Sequence, residues 1–282
     1  DEIILTVREL CPRFKIKPYD LRTGKGYLRH VLVRRGKKTG EIMVVPVTST
    51  PVFPQAKRFT EALIKARPDI TTVVQCINDT DIFLWMGERE KVLYGKGYIE
   101  DILCGKRFRI SPKSFYQINP VQTEKLYRCA INLADLKGTE RVIDAYCGIG
   151  TIGIAASDKA KEVIGAELNK DAVHDAKINA KINKIENIRF FAEDAGEFMS
   201  ALAENGYPLS KFFGYPNGNM IARTGWAEGK NSPVAIAEMA KKGKRRKSFR
   251  EKDACAETRS VVRNQRNRAY RIGSACRSGS VY

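Results

Sequence analysis

The sequence predicts an α/β domain with a parallel sheet, preceded by a smaller α+β domain. Between residues 141 and 203, short apolar runs alternate with helix-like segments. That order is typical of parallel strands joined by crossover helices. The first hundred residues instead contain several short strand-like runs and few helices, which is the pattern of an α+β unit.

The α+β pattern occupies about residues 1–106. Helices are predicted over 2–10 and 53–66, the second ending before Pro68 because the residue preceding a proline disfavours helical geometry. Strands are predicted over the apolar runs 27–35, 41–48, 71–77, 82–86, 92–94 and 98–103. The first two strands are joined by the sequence GKKTG, a hairpin signal. The strands are expected to form an antiparallel sheet.

The stretch RVIDAYCGIGTIGIAASDKAKEVIGAE, residues 141–167, carries the strongest functional signal. It predicts a strand, a tight turn through Gly148 and Gly150, a helix, and a second strand that ends at Glu167. Glycines let a ligand approach the backbone, and the first N–H groups of the helix can then reach it. Glu167 could accept hydrogen bonds from both hydroxyls of a ribose. We therefore predict a site for an adenosine-bearing cofactor.

The glycines alone leave two cofactors open. Gly148-x-Gly150-x-x-Gly153 satisfies the dinucleotide fingerprint, and an acidic residue follows at about the ~20-residue spacing of that fingerprint. S-adenosylmethionine sites use the same strand, loop and strand with a carboxylate at the second strand end. A nicotinamide dinucleotide and S-adenosylmethionine both fit this pattern.

The segments after Glu167 continue the α/β alternation. A helix is predicted over 170–183 and a third strand over 188–191, ending at Glu193 and Asp194. Asp194 could meet the amino group of an adenine, or it could cap a helix over 196–203; the spacing favours neither. Upstream, Asn119 is predicted to cap a helix that runs to about residue 136, with Pro120 at its first position.

The segment RFRISPKSFYQIN, residues 107–119, interleaves basic and aromatic residues. Its three cations, Arg107, Arg109 and Lys113, could contact phosphates, and its aromatic residues, Phe108, Phe115 and Tyr116, could stack on bases. A buried aromatic seam flanked by solvated charges explains the pattern equally well.

Net charge favours a polyanionic partner. The formal net charge is +18, and from Tyr207 onward 17 Lys and Arg face 5 Asp and Glu, so two thirds of the excess lies in this last quarter. A strongly basic chain attracts RNA or DNA. No apolar run approaches the ~20 residues that span a bilayer, and no membrane role is predicted.

Metal sites and disulfides are not predicted. The seven cysteines include no C-x-x-C pair, which fits a reduced, cytoplasmic setting. His30 alternates with Leu28 and Leu32 and is expected to be a partly buried structural residue. His174 has no second ligand at i±4 on its helix.

Seven segments together resemble a known family. They are TGKGYLRHVLVR, GEIMVV, TTVVQCIN, FRISPKSFYQINPVQTEKLY, VIDAYCGIGTIGIAA, VIGAELNKDAVHDAKINAKIN and FFAEDAGEFM. Their order resembles the RumA/TrmA type of RNA uracil-5 methyltransferase, especially bacterial 23S ribosomal RNA (uracil-5-)-methyltransferases, over about residues 1–206. The resemblance implies an α+β central domain (1–106) followed by a Rossmann-like S-adenosylmethionine-dependent methyltransferase domain (107–206), which is incomplete.

The resemblance also implies a cofactor, a partner and a set of contacts. It favours S-adenosyl-L-methionine over a nicotinamide dinucleotide, and it implies RNA, especially 23S ribosomal RNA, as the methyl acceptor. Cofactor contacts are implied for the positions that match the family: Gln117, Tyr146, Glu167 and Asp194, with Gly148, Gly150 and Thr151 in the loop.

The family's reacting groups are not found in this sequence. Members attack carbon 6 of uracil with a cysteine thiolate in a Ser-Cys-Asn-Pro-like motif, and a glutamate in a His-x-Glu-like motif removes the carbon-5 proton. Neither motif, nor the family's Asp-Pro-Pro-Arg-like strand end, occurs after Gly206. Cys255 and Cys276 lie in unrelated contexts, so no catalytic residue is assigned. Little or no turnover is expected of this chain.

Residues 207–282 are expected to be a basic, poorly ordered tail, because aliphatic residues are few and arginines are abundant. A basic helix over 235–247 is conceivable. We hypothesise that this stretch is an out-of-frame translation that cuts the parallel sheet after its third strand; a genuine RNA-binding tail is the alternative. For the whole chain two alternatives to an active methyltransferase stay open: a catalytically dead fragment that binds RNA through its charge, and a nicotinamide-dependent oxidoreductase.

Overall fold

The computed structural model describes residues 1–53, 55–80, 86–207, 211–214 and 221–224. Its first unit contains a four-stranded sheet with strand order β1-β2-β3-β4. The elements, in chain order, are α1 (Glu2–Arg13), β1 (Leu28–Arg35), β2 (Ile42–Thr48), α2 (Ala56–Ala66), β3 (Thr72–Ile77) and β4 (Arg89–Tyr94).

The sheet of this unit is mixed, so the prediction of an antiparallel sheet was wrong. β1 pairs with β2 and β3 pairs with β4 antiparallel, whereas β2 and β3 run parallel. The reason is α2, which lies between β2 and β3 in the chain and acts as a crossover connection. The two central strands, β2 and β3, are buried along their whole length.

Three local predictions in this unit also need correction or fall outside the structure. The helix predicted from residue 53 begins at Ala56, after Gln55 in a left-handed conformation with φ 53°. His30 is exposed rather than partly buried. The strand predicted over 82–86 falls, except for its last residue, on residues that the structure does not describe.

A hairpin of β5 (Ile99–Leu103) and β6 (Lys106–Ile110) forms a separate two-stranded sheet. Its turn consists of Cys104 and Gly105, both with positive φ, as a two-residue turn that matches the strand twist requires. Leu103 and Phe108 pack into the core of the parallel sheet, while Ile99 and Ile110 pack with residues of β2 and β3. The predicted domain boundary at residues 106 and 107 therefore falls inside β6.

The second unit is a five-stranded sheet with strand order β11-β10-β7-β8-β9. Its elements are α3 (Pro120–Ala134), β7 (Arg141–Ala145), α4 (Thr151–Ala156), a 3-10 turn (Ser157–Lys159), β8 (Glu162–Ala166), α5 (Lys170–Ile182), β9 (Ile188–Phe191), α6 (Ala195–Glu204), β10 (Lys211–Gly214) and β11 (Ile221–Thr224). The predicted helices and strands between residues 119 and 204 are found, with ends shifted by one or two residues.

The sequence predicted that the parallel sheet ends at its third strand, and that prediction was wrong. The sheet continues through β10 and β11. β10 pairs parallel with β7, and β11 pairs antiparallel with β10. Phe213 is fully buried in β10, but this short run lies in a basic stretch with few aliphatic residues, whose composition predicted poor order instead of a strand. The helix suggested over 235–247 lies outside the described residues.

The strand order reverses at β7, because β8 lies on one side of it and β10 on the other. The connections from β7 and its neighbours then leave toward opposite faces of the sheet, and a crevice opens at the carboxyl ends of the strands. The turn after β7 lies at this crevice. None of the helices in the described part of the chain is long and apolar enough to cross a membrane.

Candidate cofactor site

The turn between β7 and α4 is held to the end of β8 by backbone hydrogen bonds. The N–H of Cys147 donates to the carbonyl of Ala166 at 3.0 Å, and the N–H of Gly150 donates to the carbonyl of Cys147 at 2.8 Å. Tyr146, Gly148 and Gly150 all have positive φ, at 60°, 54° and 82°. We call residues 146–150 the glycine loop.

The two glycines of the glycine loop serve different purposes. A Cβ added at Gly150 would lie 2.8 Å from Cζ of Phe190, so this glycine permits close packing on β9. A Cβ added at Gly148 would meet nothing within 4 Å among the described residues. Gly148 therefore faces open space, which is where a ligand could approach the backbone.

Glu167 follows β8 directly and reaches back to the glycine loop. Its Oε2 accepts a hydrogen bond from the N–H of Gly148 at 3.1 Å, and its Oε1 accepts one from the N–H of Asn169 at 2.9 Å. Each carboxylate oxygen has capacity for a further donor. A pair of ribose hydroxyls is the kind of group that such a fixed carboxylate binds.

Asp194 and Tyr146 flank the same end of the sheet. Oδ1 of Asp194 accepts hydrogen bonds from the N–H groups of Gly196 at 2.9 Å and Glu197 at 3.0 Å, so the capping role considered for Asp194 is present. Tyr146 is 44% exposed. Partial burial, and then the negative charge of Asp194, raise the pKa of the Tyr146 hydroxyl.

Thr151 is the first residue of α4, and Gln117 lies in the segment before α3. The hydroxyl groups of Thr151 and Tyr127 lie 2.6 Å apart in a hydrogen bond, which ties the start of α4 to α3. Gln117 is half-buried and lies two residues before Asn119. Asn119 caps α3 as predicted, since its side chain accepts a hydrogen bond from the N–H of Gln122 at 3.2 Å.

Asp144, the acidic residue of β7, was not selected as a site residue from the sequence. Its carboxyl bonds the backbone just after the glycine loop. Its carboxyl is 1% exposed, and Oδ2 accepts a hydrogen bond from the N–H of Gly153 at 2.9 Å. Oδ1 has no hydrogen-bond partner among the described residues. Burial raises the pKa of Asp144 to about 7. The hydrogen bond from the N–H of Gly153 lowers this pKa, and the charge of Glu167 raises it.

Gly153 was the available sequence signal for Asp144. A Cβ at position 153 would lie 2.8 Å from Oδ2 of Asp144, so the third glycine of the fingerprint makes room for a buried acid. Cys147, in the same loop, is also buried, and burial together with Asp144 and Glu167 raises its thiol pKa well above the ordinary value. That thiol is protonated and unsuited to nucleophilic attack.

The basic and aromatic segment 107–119 is buried only in part, and its cations are not simply solvated. Phe108 is fully buried and belongs to the core, whereas Phe115 is 71% exposed. The cations are paired: Arg107 bonds Glu100 at 2.9 Å, Arg109 lies 3.5 Å from Asp175, and Lys113 lies 3.8 Å from Glu90. Among the described residues no cluster of His, Cys, Asp or Glu could hold a metal ion.

The strand order, the glycine loop and the carboxylate at the end of β8 define a Rossmann-like methyltransferase domain. A family model described as tRNA (Uracil-5-)-methyltransferase matches residues 78–208. An "uncharacterized RNA methyltransferase" of Enterococcus faecalis is 41% identical over 206 residues, which are 73% of this chain and 45% of that protein. The chain belongs to the RumA/TrmA type of RNA (uracil-5-)-methyltransferase family.

Other relatives agree with this assignment. Proteins of the same description from Halalkalibacterium halodurans and Clostridium acetobutylicum are 44% and 43% identical over 199 and 206 residues, covering 71% and 73% of this chain. These matches cover 43% and 45% of the relatives. The chain thus spans less than half the length of the relatives that it matches.

A solved structure shares the fold. The tRNA (uracil-54, C5)-methyltransferase of Pyrococcus abyssi, in complex with S-adenosyl-L-homocysteine, superimposes with a TM-score of 0.62 at 22% sequence identity. The match covers 85% of this chain and 59% of that one. At this level of identity the likeness establishes the fold alone.

Proposed function

We propose that this chain binds S-adenosyl-L-methionine in the crevice between the glycine loop and Glu167. The observation that carries the proposal is the hydrogen bond from the N–H of Gly148 to Oε2 of Glu167 beside open space at Gly148. This arrangement leaves acceptor capacity on both oxygens of Glu167, beside space in which an adenosine can lie. Family membership favours S-adenosyl-L-methionine over a nicotinamide dinucleotide. The S-adenosyl-L-homocysteine bound by the Pyrococcus abyssi protein supports this choice.

The residues proposed to contact the cofactor have separate roles. Glu167 accepts hydrogen bonds from the ribose, and Asp194 accepts one from the adenine amino group through the oxygen that does not cap α6. Tyr146 covers the adenosine, while Gly148 and Gly150 allow the backbone to approach it. Gln117 and Thr151 contact the methionine end of the cofactor.

The proposed reaction is methylation of carbon 5 of a uridine in RNA, and the proposed RNA is 23S ribosomal RNA. The bound cofactor supplies a methyl group on a sulfonium, and the chain's own residues orient that group. Residues 1–206 carry 33 Lys and Arg against 27 Asp and Glu, a net charge of +6, which supports an RNA partner, and the exposed ring of Phe115 offers a surface on which a base could stack. We place this activity in the cytoplasm.

We further propose that the chain by itself does not complete the transfer. The motifs that carry the nucleophilic cysteine and the basic glutamate in the family are not found in residues 207–282, and Cys147 is buried with a raised pKa. The chain then acts as a cofactor-binding and RNA-binding unit. The out-of-frame origin of residues 207–282 stays a hypothesis, tested by translating the other two frames of the gene after Gly206.

Calorimetry and a transfer assay separate these possibilities. We expect S-adenosyl-L-methionine and S-adenosyl-L-homocysteine to bind the purified chain, and NADH not to bind. Incubation with methyl-labelled S-adenosyl-L-methionine and uridine-containing RNA should leave the RNA unlabelled, although RNA binding should weaken steeply with added salt. Binding of NADH alone would reject the cofactor assignment. Labelled RNA would show that the chain is a complete enzyme.

A further inference from the structure

Asn179, a buried residue of α5, links the glycine loop to the β5–β6 hairpin. Its side chain is fully buried. Oδ1 accepts a hydrogen bond from the N–H of Arg109 at 2.7 Å. Nδ2 donates to the carbonyl of Arg109 at 3.3 Å and to the carbonyl of Ile149, in the glycine loop, at 3.1 Å. Both amide hydrogens are thereby used.

Asn183, one turn later on α5, makes the same kind of contact without reaching the glycine loop. Its Oδ1 accepts from the N–H of Arg107 at 2.9 Å, and its Nδ2 donates to the carbonyl of Arg107 at 2.7 Å. The two asparagines, four residues apart on one face of a helix, pair with alternate residues of β6. Together they satisfy the N–H and carbonyl groups at this edge of β6, which a neighbouring strand would otherwise bond.

Ile149 makes the link from the loop side stronger. Its side chain is 1% exposed and packs in the same buried cluster as Ile99 and Ile110 of the hairpin. The glycine loop is therefore attached to the hairpin through a side chain and, via Asn179, through a carbonyl. An asparagine can do this because one amide group offers both a donor pair and an acceptor.

We propose that Asn179 is a positioning residue for the cofactor site. It fixes the carbonyl of Ile149 and so holds the backbone of the glycine loop in the conformation that leaves open space beside Gly148. Asn179 does not contact the cofactor, and its effect on binding rests on the proposed function of the glycine loop. The link also ties the loop to β6 at Arg109, which shares the Asn179 amide with Ile149.

Hydrogen exchange of the cofactor-free chain tests the positioning role directly. In Asn179→Ala, the amides of residues 147–151 should exchange several-fold faster than in the wild type. Two controls break neighbouring contacts that do not reach the loop: Asn183→Ala, and Ser114→Ala, which removes a buried 2.7 Å hydrogen bond to Asp175 on α5. Both controls should keep the loop protected. Equal protection in all three variants would overturn the proposal.

Cofactor binding gives the second measurement. The dissociation constant of S-adenosyl-L-methionine should rise about five- to tenfold in Asn179→Ala, the effect of one lost buried hydrogen bond, and change less than about twofold in Ser114→Ala and Asn183→Ala. Unchanged affinity in Asn179→Ala would refute the positioning role. Failure of the wild type to bind would instead reject the proposed function, and the exchange result would still decide the role of Asn179.

If Asn179→Ala does not fold, the wild type alone decides the question. A loop held by Asn179 opens together with β6, so the amides of Gly148, Gly150 and Arg109 should exchange with the same opening free energy and the same dependence on denaturant. Loop amides that exchange through a separate, lower-energy opening while Arg109 stays protected would overturn the proposal.

Discussion

The N–H of Gly148 lies 3.1 Å from Oε2 of Glu167 and joins the ends of two adjacent parallel strands. The bond holds the carboxylate in position before any ligand arrives, so little side-chain ordering remains to oppose binding. It also directs the carboxylate toward the open side of Gly148.

Replacing Glu167 by glutamine should weaken cofactor binding strongly. Hydrogen bonds to a charged group are worth about 1.5–3 kcal/mol, so we expect the dissociation constant of S-adenosyl-L-methionine to rise by at least about tenfold in titration calorimetry. Glu162→Gln, at the opposite end of β8, is the control. Glu162 pairs with Arg141 at 3.2 Å and Tyr207 at 2.8 Å, so its replacement should reduce stability without changing affinity. Similar affinity losses in both variants would contradict this site.

Gly148→Ala should separate ligand space from backbone strain. A left-handed conformation costs a non-glycine residue about 1–2 kcal/mol, and the new methyl group occupies the open space beside Glu167. Gly138 has φ 86° and equally open surroundings but lies outside the site. We expect similar losses of thermal stability in Gly148→Ala and Gly138→Ala, with cofactor binding lost only in the former. Retained binding in Gly148→Ala would place the ligand elsewhere.

Asp144 should make stability depend on pH. Its folded-state pKa of about 7 exceeds the value of ~3.9 in an unfolded chain. Between these values the folded protein holds a proton that the unfolded chain has released, so the free energy of unfolding falls as the pH rises from 4 to 7. Asp144→Asn removes this titration. Relative to the wild type, the variant should gain roughly 4 kcal/mol of stability between pH 4 and pH 8 in denaturant titrations. Parallel pH profiles would contradict a raised pKa.

Asn119→Ala should remove the cap of α3. The lost hydrogen bond to the N–H of Gln122 should lower the free energy of unfolding by about 1 kcal/mol. Asn132→Ala, an exposed change near the end of the same helix, should cost less than about 0.5 kcal/mol. Thermal unfolding of both variants provides the measurement. Equal transition temperatures would show that the cap does not contribute to stability.

The sequence predicted most of the parallel sheet because its elements are regular and their ends are marked chemically. Asn119, Pro120 and the glycines of the loop each have one local role that their residue type reveals. Glu167 and Asp194, the carboxylates proposed for the site, could also be selected from the sequence, because each follows an apolar strand of the kind that ends at a ligand crevice.

The features that were missed depend on partners far away in the chain. β2 and β3 are parallel because α2 crosses between them, and no single strand pattern encodes that choice. Asp144 is distinguished by the missing Cβ of Gly153, and Asn179 by carbonyls 30 and 70 residues away in the sequence. β10 is recognisable only through its pairing with β7, because it lies in a basic stretch with few aliphatic residues.

The β5–β6 hairpin has a consequence for how this molecule can be divided. Its two strands send residues into two different cores, so a cut between residues 106 and 107 removes β5 from β6 and exposes Phe108 and Ile110 at once. A gene fragment meant to yield the cofactor-binding half should therefore start ahead of Ile99. A fragment that starts at Arg107 would be prone to aggregation and sensitive to proteolysis.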